Sequence, residues 1–329
     1  MNRARGNKLL VIGKKPFGGK NKIGMGGVVV HVVRLTDWLD EQGLDYHFYD
    51  LSLFHLSSFV KRIRTSEFGH LHTSSPYLRL LFSIVCKITK THSICTYHGD
   101  IGRFGVFKNC CDKLSIKWVD YPIVLNERSL SIARRFNANA LMLSAYVPPI
   151  KKASLAPDIQ EKVRAFRREY RVLFATNASA MSYDKKGSEI YGIKELVSIV
   201  KALPEIGLII SDPSGDYSRY YRDQLPENIY LITEPHPFVG VLSYADAFIR
   251  NTSTDGDSIS IREALDMGVP VIATDAVDRP EGCFLFSRGD DAMLIKSMRA
   301  INPKAGLYSG TQDKDSAEIL RFYKEKIFR

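Results

Sequence analysis

Short apolar runs of strand length alternate along this chain with longer stretches whose apolar residues recur at helical spacing. Residues 8–13 (KLLVIG) form a first buried run, 16–27 a glycine-rich stretch, and 28–39 a helical pattern leading to a second strand at 46–49. Further strands are predicted at 69–73, 93–98 and 119–125, with a helix over 129–135. Two prolines at 148 and 149 and a third at 157 bound a candidate linker, after which a charged helix (158–170) and a strand (171–175) restart the alternation. Helix 195–203, strand 207–211 and a closing helix over 317–328 complete the pattern. Alternation of this kind predicts α/β architecture with parallel sheets, in two Rossmann-like domains facing a cleft. The domains are expected at 1–150 and 151–313, with 314–329 as a C-terminal helix crossing back to the first. One amphipathic stretch carries two readings. Phe104, Phe107, Cys111, Leu114 and Trp118 share a helical face, expected to pack on the sheet with Lys108, Lys113 and Lys117 toward water. The alternative is a basic helix lying on a membrane surface.

The most informative stretch is 247–275 (AFIRNTSTDGDSISIREALDMGVPVIATD). It reads as strand, polar loop, helix, glycine stop and second strand. The loop ends at a helix N-terminus, where free N–H groups and the positive dipole end favour an anion such as phosphate. Asp255 and Glu263 bracket the turn. Ser260 and Glu263 also have capping-box spacing, which makes a structural role for Glu263 the competing reading. Asp255, Gly256 and Asp257 spell an Asp-x-Asp triplet of the kind that can hold a divalent metal, but its place before this helix argues against that use.

This segment resembles the nucleotide-sugar signature of family-4 retaining glycosyltransferases, which have the two-domain GT-B fold. The resemblance rests on Asp255, seven residues, Glu263, then Ala264-Leu265, Gly268 and Pro270-Val271-Ile272-Ala273. It implies that Asp255 contacts the donor sugar, in place of the family's usual glutamate. Glu263 would contact the ribose hydroxyls, with backbone amides of Gly256, Asp257 and Ser258 facing sugar or phosphate. In the first half, Gly26 and Gly27 followed by His31 match the loop that approaches the donor diphosphate. His70-x-His72 matches a strand end, and Thr96, His98 and Gly99 match the site of the transferred sugar, making His98 the second catalytic candidate. Lys185 or Lys186, before Gly187, would neutralise diphosphate, but Asn177 or Ser179 stands where the family has an arginine. The loops at 212–216 and 233–236 occupy the places of base recognition. His70 and His72 lack a third ligand at metal-binding spacing, and neither a metal nor any other cofactor is implied.

Composition sharpens this picture modestly. The 329 residues are 45% apolar and 25% charged, as in a globular protein of two domains. Five cysteines without metal-ligand spacing fit a reducing compartment, with Cys110 and Cys111 read as small buried hydrophobes. The apolar run at 9–12 is too short for a signal peptide, and 77–89 is interrupted by Arg79 and Lys87, so a cytoplasmic protein is expected. Residues 1–150 carry 21 Lys and Arg against 10 Asp and Glu, whereas the remainder is nearly balanced. A basic first half suits an anionic membrane face or a pyrophosphate-linked lipid; nucleic acid is disfavoured because no recognition motif accompanies the charge.

The resemblance implies a metal-independent, retaining hexosyltransferase acting in polysaccharide, lipopolysaccharide or O-antigen biosynthesis. It would use a nucleotide-diphosphate sugar, UDP-linked by default, and a glycan or lipid-linked acceptor at the inner membrane face. Two alternatives stay open: a nucleotide-sugar epimerase or phosphorylase of the same fold, and a non-enzymatic nucleotide- or membrane-binding protein.

Overall fold

The computed structural model describes residues 7–15, 26–150, 154–184, 186–302 and 318–329. By internal contact these form two compact units, one of 7–15, 26–150 and 318–329, the other of 154–184 and 186–302. Most of the glycine-rich stretch and Lys185 lie outside the described residues.

The first unit runs β1 (Asn7–Gly13), α1 (Gly27–Glu41), β2 (Tyr46–Asp50), α2 (Leu56–Arg64), β3 (Ser66–Thr73), α3 (Pro76–Thr89), β4 (His92–Tyr97), α4 (Val106–Trp118), β5 (Tyr121–Val124), α5 (Glu127–Arg134) and β6 (Leu141–Met142). Its six strands are parallel in the order β2-β1-β3-β4-β5-β6. The order reverses between β1 and β3, the switch point at whose carboxyl end open α/β sheets bind ligands. Both faces of the sheet are covered. Leu10 and Ile12 enter one core with Leu71, Cys95 and Tyr97, while Leu9 and Val11 enter the other with Phe68, Ile94 and Ile123. This explains why β1 reads as an unbroken apolar run rather than an alternation. Gly13 allows α1 to lie close, since a Cβ there would come 2.8 Å from Val32 Cγ2.

The second unit runs α6 (Pro157–Glu169), β7 (Val172–Asn177), α7 (Ile193–Lys201), β8 (Ile206–Ser211), α8 (Asp216–Tyr221), β9 (Ile229–Ile232), α9 (Phe238–Leu242), β10 (Ala247–Arg250), α10 (Ile259–Asp266), β11 (Val271–Thr274), β12 (Cys283–Phe286) and α11 (Asp291–Ala300). Its six strands are again parallel, in the order β12-β11-β10-β7-β8-β9, with the reversal between β7 and β10. The expected α/β class, with two parallel Rossmann-like sheets, is the one found. The chain closes with α12 (Glu318–Phe322) and a π-helical turn (Tyr323–Ile327), whose Ile319, Phe322, Tyr323 and Ile327 join Leu9, Val11 and Trp38 in the first unit's core. No helix among the described residues is long and apolar enough to cross a membrane.

One sequence expectation fails in α4. Its inward face is Cys111, Asp112, Ser115 and Ile116, whereas Phe107 is 71% exposed and Leu114 lies at the surface. Cys110, expected inside, is exposed. The helix is rotated by polar partners rather than by its aromatic stripe. Asp112 accepts a 2.7 Å hydrogen bond from buried Arg79, and Ser115 meets the Tyr97 hydroxyl at 2.8 Å. Arg79 also donates to the Thr73 carbonyl, tying α3, α4 and the end of β3 together. Breaking a buried ion pair from one side strands the other charge, so Asp112→Ala is expected to lower stability by about 3–5 kcal/mol. Both tryptophans, Trp38 and Trp118, lie in this unit. Urea unfolding followed by tryptophan fluorescence therefore reads the effect, and a loss below about 1 kcal/mol would mean that Arg79 finds another partner.

Candidate functional site

In the second unit the chemistry gathers at the switch point between β7 and β10. Arg250 ends a wholly buried strand, and its Nη1 donates to the Asn177 carbonyl at 3.3 Å and to Asn177 Oδ1 at 3.2 Å, at the end of β7. The same guanidinium grips Asp255, Nε to Oδ2 at 2.9 Å and Nη2 to Oδ1 at 3.1 Å. Arg279, in the loop after β11, reaches Asp255 Oδ2 through Nη1 at 3.0 Å and holds Thr274 through Nε and Nη2. One carboxylate therefore stands between two guanidinium groups, a local excess of one positive charge. Three of the carboxylate's four lone-pair directions are used, leaving one on Oδ1.

Asp255, Gly256, Asp257, Ser258 and Glu263 fall together on the loop and first turns of α10, the helix that begins at Ile259 with Ser258 as N-cap. Asp257 Oδ1 accepts from Arg262 Nε at 2.5 Å. With both carboxylates of the Asp-x-Asp triplet engaged by arginines, the metal reading of that triplet has no support. The capping-box reading fails as well. Ser260 is inside the helix, where its Oγ accepts from Asn177 Nδ2 at 2.6 Å, and Glu263 is buried at the fifth helical position, too far along to reach back to the cap. The segment linking β7 to α7 is pinned beside this loop. Ser253 N donates to the Ile190 carbonyl, and Gly192, at φ +60°, packs where a Cβ would come 2.4 Å from Asn251 Nδ2. On this segment Lys186 is exposed at a turn closed by the Asp184 carboxylate. Lys194, a further lysine at the start of α7, donates to Tyr183 at 2.9 Å and lies over the Tyr220 ring. Asp212, in a loop read as base-recognising, accepts from Ser214, Asp216 and Ser218 and so serves to cap α8.

In the first unit, strand parity and the α1 register bring four histidines to one face. His70 and His72 share a side of β3, His98 follows β4 on the same side, and His31 occupies the face of α1 that also buries Leu35 and Trp38. His70 is saturated, by the Tyr323 hydroxyl at 2.5 Å and Thr96 Oγ1 at 2.8 Å. His31 Nδ1 meets the Ala145 carbonyl, which can only accept, so the ring proton is on Nδ1. His72 Nδ1 and His98 Nε2 are 3.3 Å apart. Burial pushes the His31 pKa down to about 4 and those of His72 and His98 well below the usual value, so all three rings are neutral. The Nε2 atoms of His31 and His72 are buried without a partner. Gly26 is the N-cap of α1 and Gly27 its first residue; at Gly26 an added Cβ would meet nothing within 4 Å, so neither packing nor backbone angle requires glycine there. His98 is half-buried and followed by Gly99, against which the Arg103 guanidinium lies so closely that a Cβ would come 2.0 Å from Nη1.

The sequence alone did not single out Arg250, Arg279 or Arg262. Arg250 did leave a signal, as a charged residue ending a buried strand (AFIR) five positions before an aspartate. Arg279 left none, because its partner lies 24 positions away across β11.

No protein-family profile matches the sequence, and no curated protein matches it. Solved structures do. HepE from Anabaena in complex with UDP-glucose superposes with a TM-score of 0.65 at 13% identity, covering 94% of each chain. WaaG, a glycosyltransferase involved in lipopolysaccharide biosynthesis, gives 0.63 at 10% identity over 97% of this chain and 98% of its own. Sucrose-phosphate synthase from Thermosynechococcus elongatus gives 0.63 at 14% identity over 95% and 94%. The fold is thus the GT-B fold of these glycosyltransferases, as the resemblance implied.

The Asp255 carboxyl has a signature in pH. Burial alone would raise its pKa, but the charge and hydrogen bonds of Arg250, then of Arg279, outweigh burial and hold it below the usual carboxylate value. A folded pKa below the unfolded value of about 3.9 means that the stabilisation is present above that pH and is lost as pH falls through the folded value. Asparagine does not titrate. The melting-temperature gap between wild type and Asp255→Asn should therefore stay constant from neutrality to about pH 5 and close below about pH 4. A gap that changed between about pH 6 and 8 would show that another group governs it.

Proposed function

We propose that this protein is a glycosyltransferase that moves a sugar from a nucleoside-diphosphate donor to a glycan or lipid-linked acceptor, with retention of configuration and without a metal. The observation that carries the reading is the pair of arginines around Asp255 at the switch point of the second sheet. The excess cation lies beside the N-terminus of α10, which suits a departing diphosphate. In this reading Arg250 and Arg279 supply the charge that the sequence lacks at Asn177 and Ser179, with Lys185 and Lys186 as further candidates. Asp255 holds the two guanidinium groups and offers its remaining lone pair to a sugar hydroxyl. Backbone amides from Gly256 to Ser258 face phosphate, and Glu263 takes the ribose hydroxyls. From the first unit, Gly26 and Gly27 leave room for phosphate oxygens and His98 contacts the transferred sugar.

The chemistry follows from these roles. The bond from the anomeric carbon to the β-phosphate oxygen breaks with its electrons on that oxygen, where positive charge stabilises them. The acceptor hydroxyl attacks from the face being vacated and passes its proton to the departing phosphate. The UDP-glucose bound by HepE makes a UDP-sugar the first donor to test. Among UDP, GDP, ADP and CMP, one nucleoside diphosphate should raise the melting temperature, unchanged by EDTA. Arg279→Ala and Glu263→Ala should each weaken that binding about tenfold to a hundredfold. No stabilisation by any nucleotide would sink the donor site.

A lipid-linked acceptor also calls for membrane contact. The outward face of α4 supports it: Val106 and Phe107 are 89% and 71% exposed, the Phe107 ring centroid is 6.1 Å from that of exposed Tyr77, and Arg103 and Lys108 flank the Phe104 ring. Vesicles rich in anionic lipid should sediment the protein, neutral ones should not, and Val106→Ser with Phe107→Ser should release it. Equal sedimentation of wild type and double variant would remove this face from the reading.

A further inference from the structure

We propose that His31, His72 and His98 form a binding site for a borderline-soft divalent cation of the zinc class. The site shares His98 with the donor reading, whose transfer chemistry itself needs no metal. Sequence spacing offered only His70 and His72. The fold replaces the first of these, since both His70 nitrogens are taken by Tyr323 and Thr96, and supplies partners for the second from α1 and from the end of β4. One ring nitrogen from each of His31, His72 and His98 lies within 4.8 Å of the other two.

Three observations point to a cation. The first is the His31 tautomer. Its Nδ1–H is donated to the Ala145 carbonyl, so Nε2 presents a bare lone pair, buried and without a partner. A ring N–H donated to a backbone carbonyl is the usual support for a metal-ligating histidine, because it fixes the ring and raises its basicity. The second is His72 Nε2, also buried and unpartnered. Among the described residues five buried side-chain polar atoms lack a partner, and two of them fall in this one cluster. The third is spacing. Zinc–nitrogen bonds of about 2.0–2.1 Å hold tetrahedral ligands about 3.3 Å apart; His72 Nδ1 is hydrogen-bonded to His98 Nε2 at 3.3 Å, which keeps these two rings together and leaves His72 Nε2 as the nitrogen open to an ion. A turn of the half-buried His98 ring would release its bond to His72 and bring a nitrogen to the ion, and the same side chain provides the route in from solvent. Neutral imidazoles suit zinc, copper and nickel rather than magnesium or calcium, which prefer oxygen. Three histidines leave the fourth tetrahedral position for water.

Cobalt(II) is the probe, because tetrahedral coordination gives it a strong visible absorption. Full-length protein freed of metal by chelation should develop that band with a single equivalent of Co2+ and lose it to Zn2+. His98→Ala and His72→Asn should each weaken binding by about tenfold or more, whereas His92→Ala, exposed at the other end of β4, should bind as wild type does. Circular dichroism and melting of each variant separate loss of a ligand from loss of fold, and His98→Ala, altered at a half-buried position, is the least exposed to that ambiguity. No cobalt band, or a band that survives both ligand substitutions, overturns the proposal. Neither readout involves sugar transfer, so the site stands or falls apart from the donor reading.

Discussion

The second unit depends on how three charges are placed where two strands diverge. Asp255 without its arginines would be a half-buried carboxylate at the end of a parallel sheet, and Arg250 without Asp255 would be a buried guanidinium closing an apolar strand. Each is tolerable only because of the other. Arg279 makes the set unequal, and the imbalance has a direction. Two cations against one anion cannot be neutralised from within the group, so this edge of the sheet favours an anion from outside it. The parallel topology contributes as well, since reversal of strand order between β7 and β10 is what leaves space there for charged side chains.

The first unit solves a different problem with similar geometry. Its four clustered histidines have pKa values pushed down by burial, with Arg34 and Arg103 as the fixed charges beside His31 and His98. Behind them Arg79 and Asp112 are paired and buried away from solvent. The same ion pair rotates α4 and turns its aromatic residues outward. An internal electrostatic requirement therefore determines what this helix presents at the surface.

Fold class was legible because parallel strands buried on both faces leave an unmistakable trace, a continuous apolar run bounded by glycine or polar loops, as in 8–13 and 207–211. The loop and helix carrying Asp255 and Glu263 were legible for a related reason, since ligand-facing loops in such folds are short and lie next to their strands. What escaped was everything set by side-chain partners distant in sequence. Periodicity placed Phe107 inside α4 because it registers apolar character and not the need of Arg79 for a carboxylate. Arg279 was silent because nothing local ties it to Asp255. The histidine cluster was half visible, as His70 and His72, and the wrong member drew notice, because alternation along a strand cannot tell which ring a tyrosine 253 residues away has already satisfied.

That tyrosine has a bearing on how the protein comes into being. Tyr323 and its neighbours supply a wall of the first unit's core, yet they leave the ribosome only after the second unit has done so. The first unit is thus completed only once the whole of the second has been made. Until then this core, which holds Leu9, Val11 and Ile94, has Leu35, Trp38 and Leu39 of α1 but not the side chains of α12 and the turn after it. A protein cut short before α12 would keep its second unit whole and have a first unit with an open side.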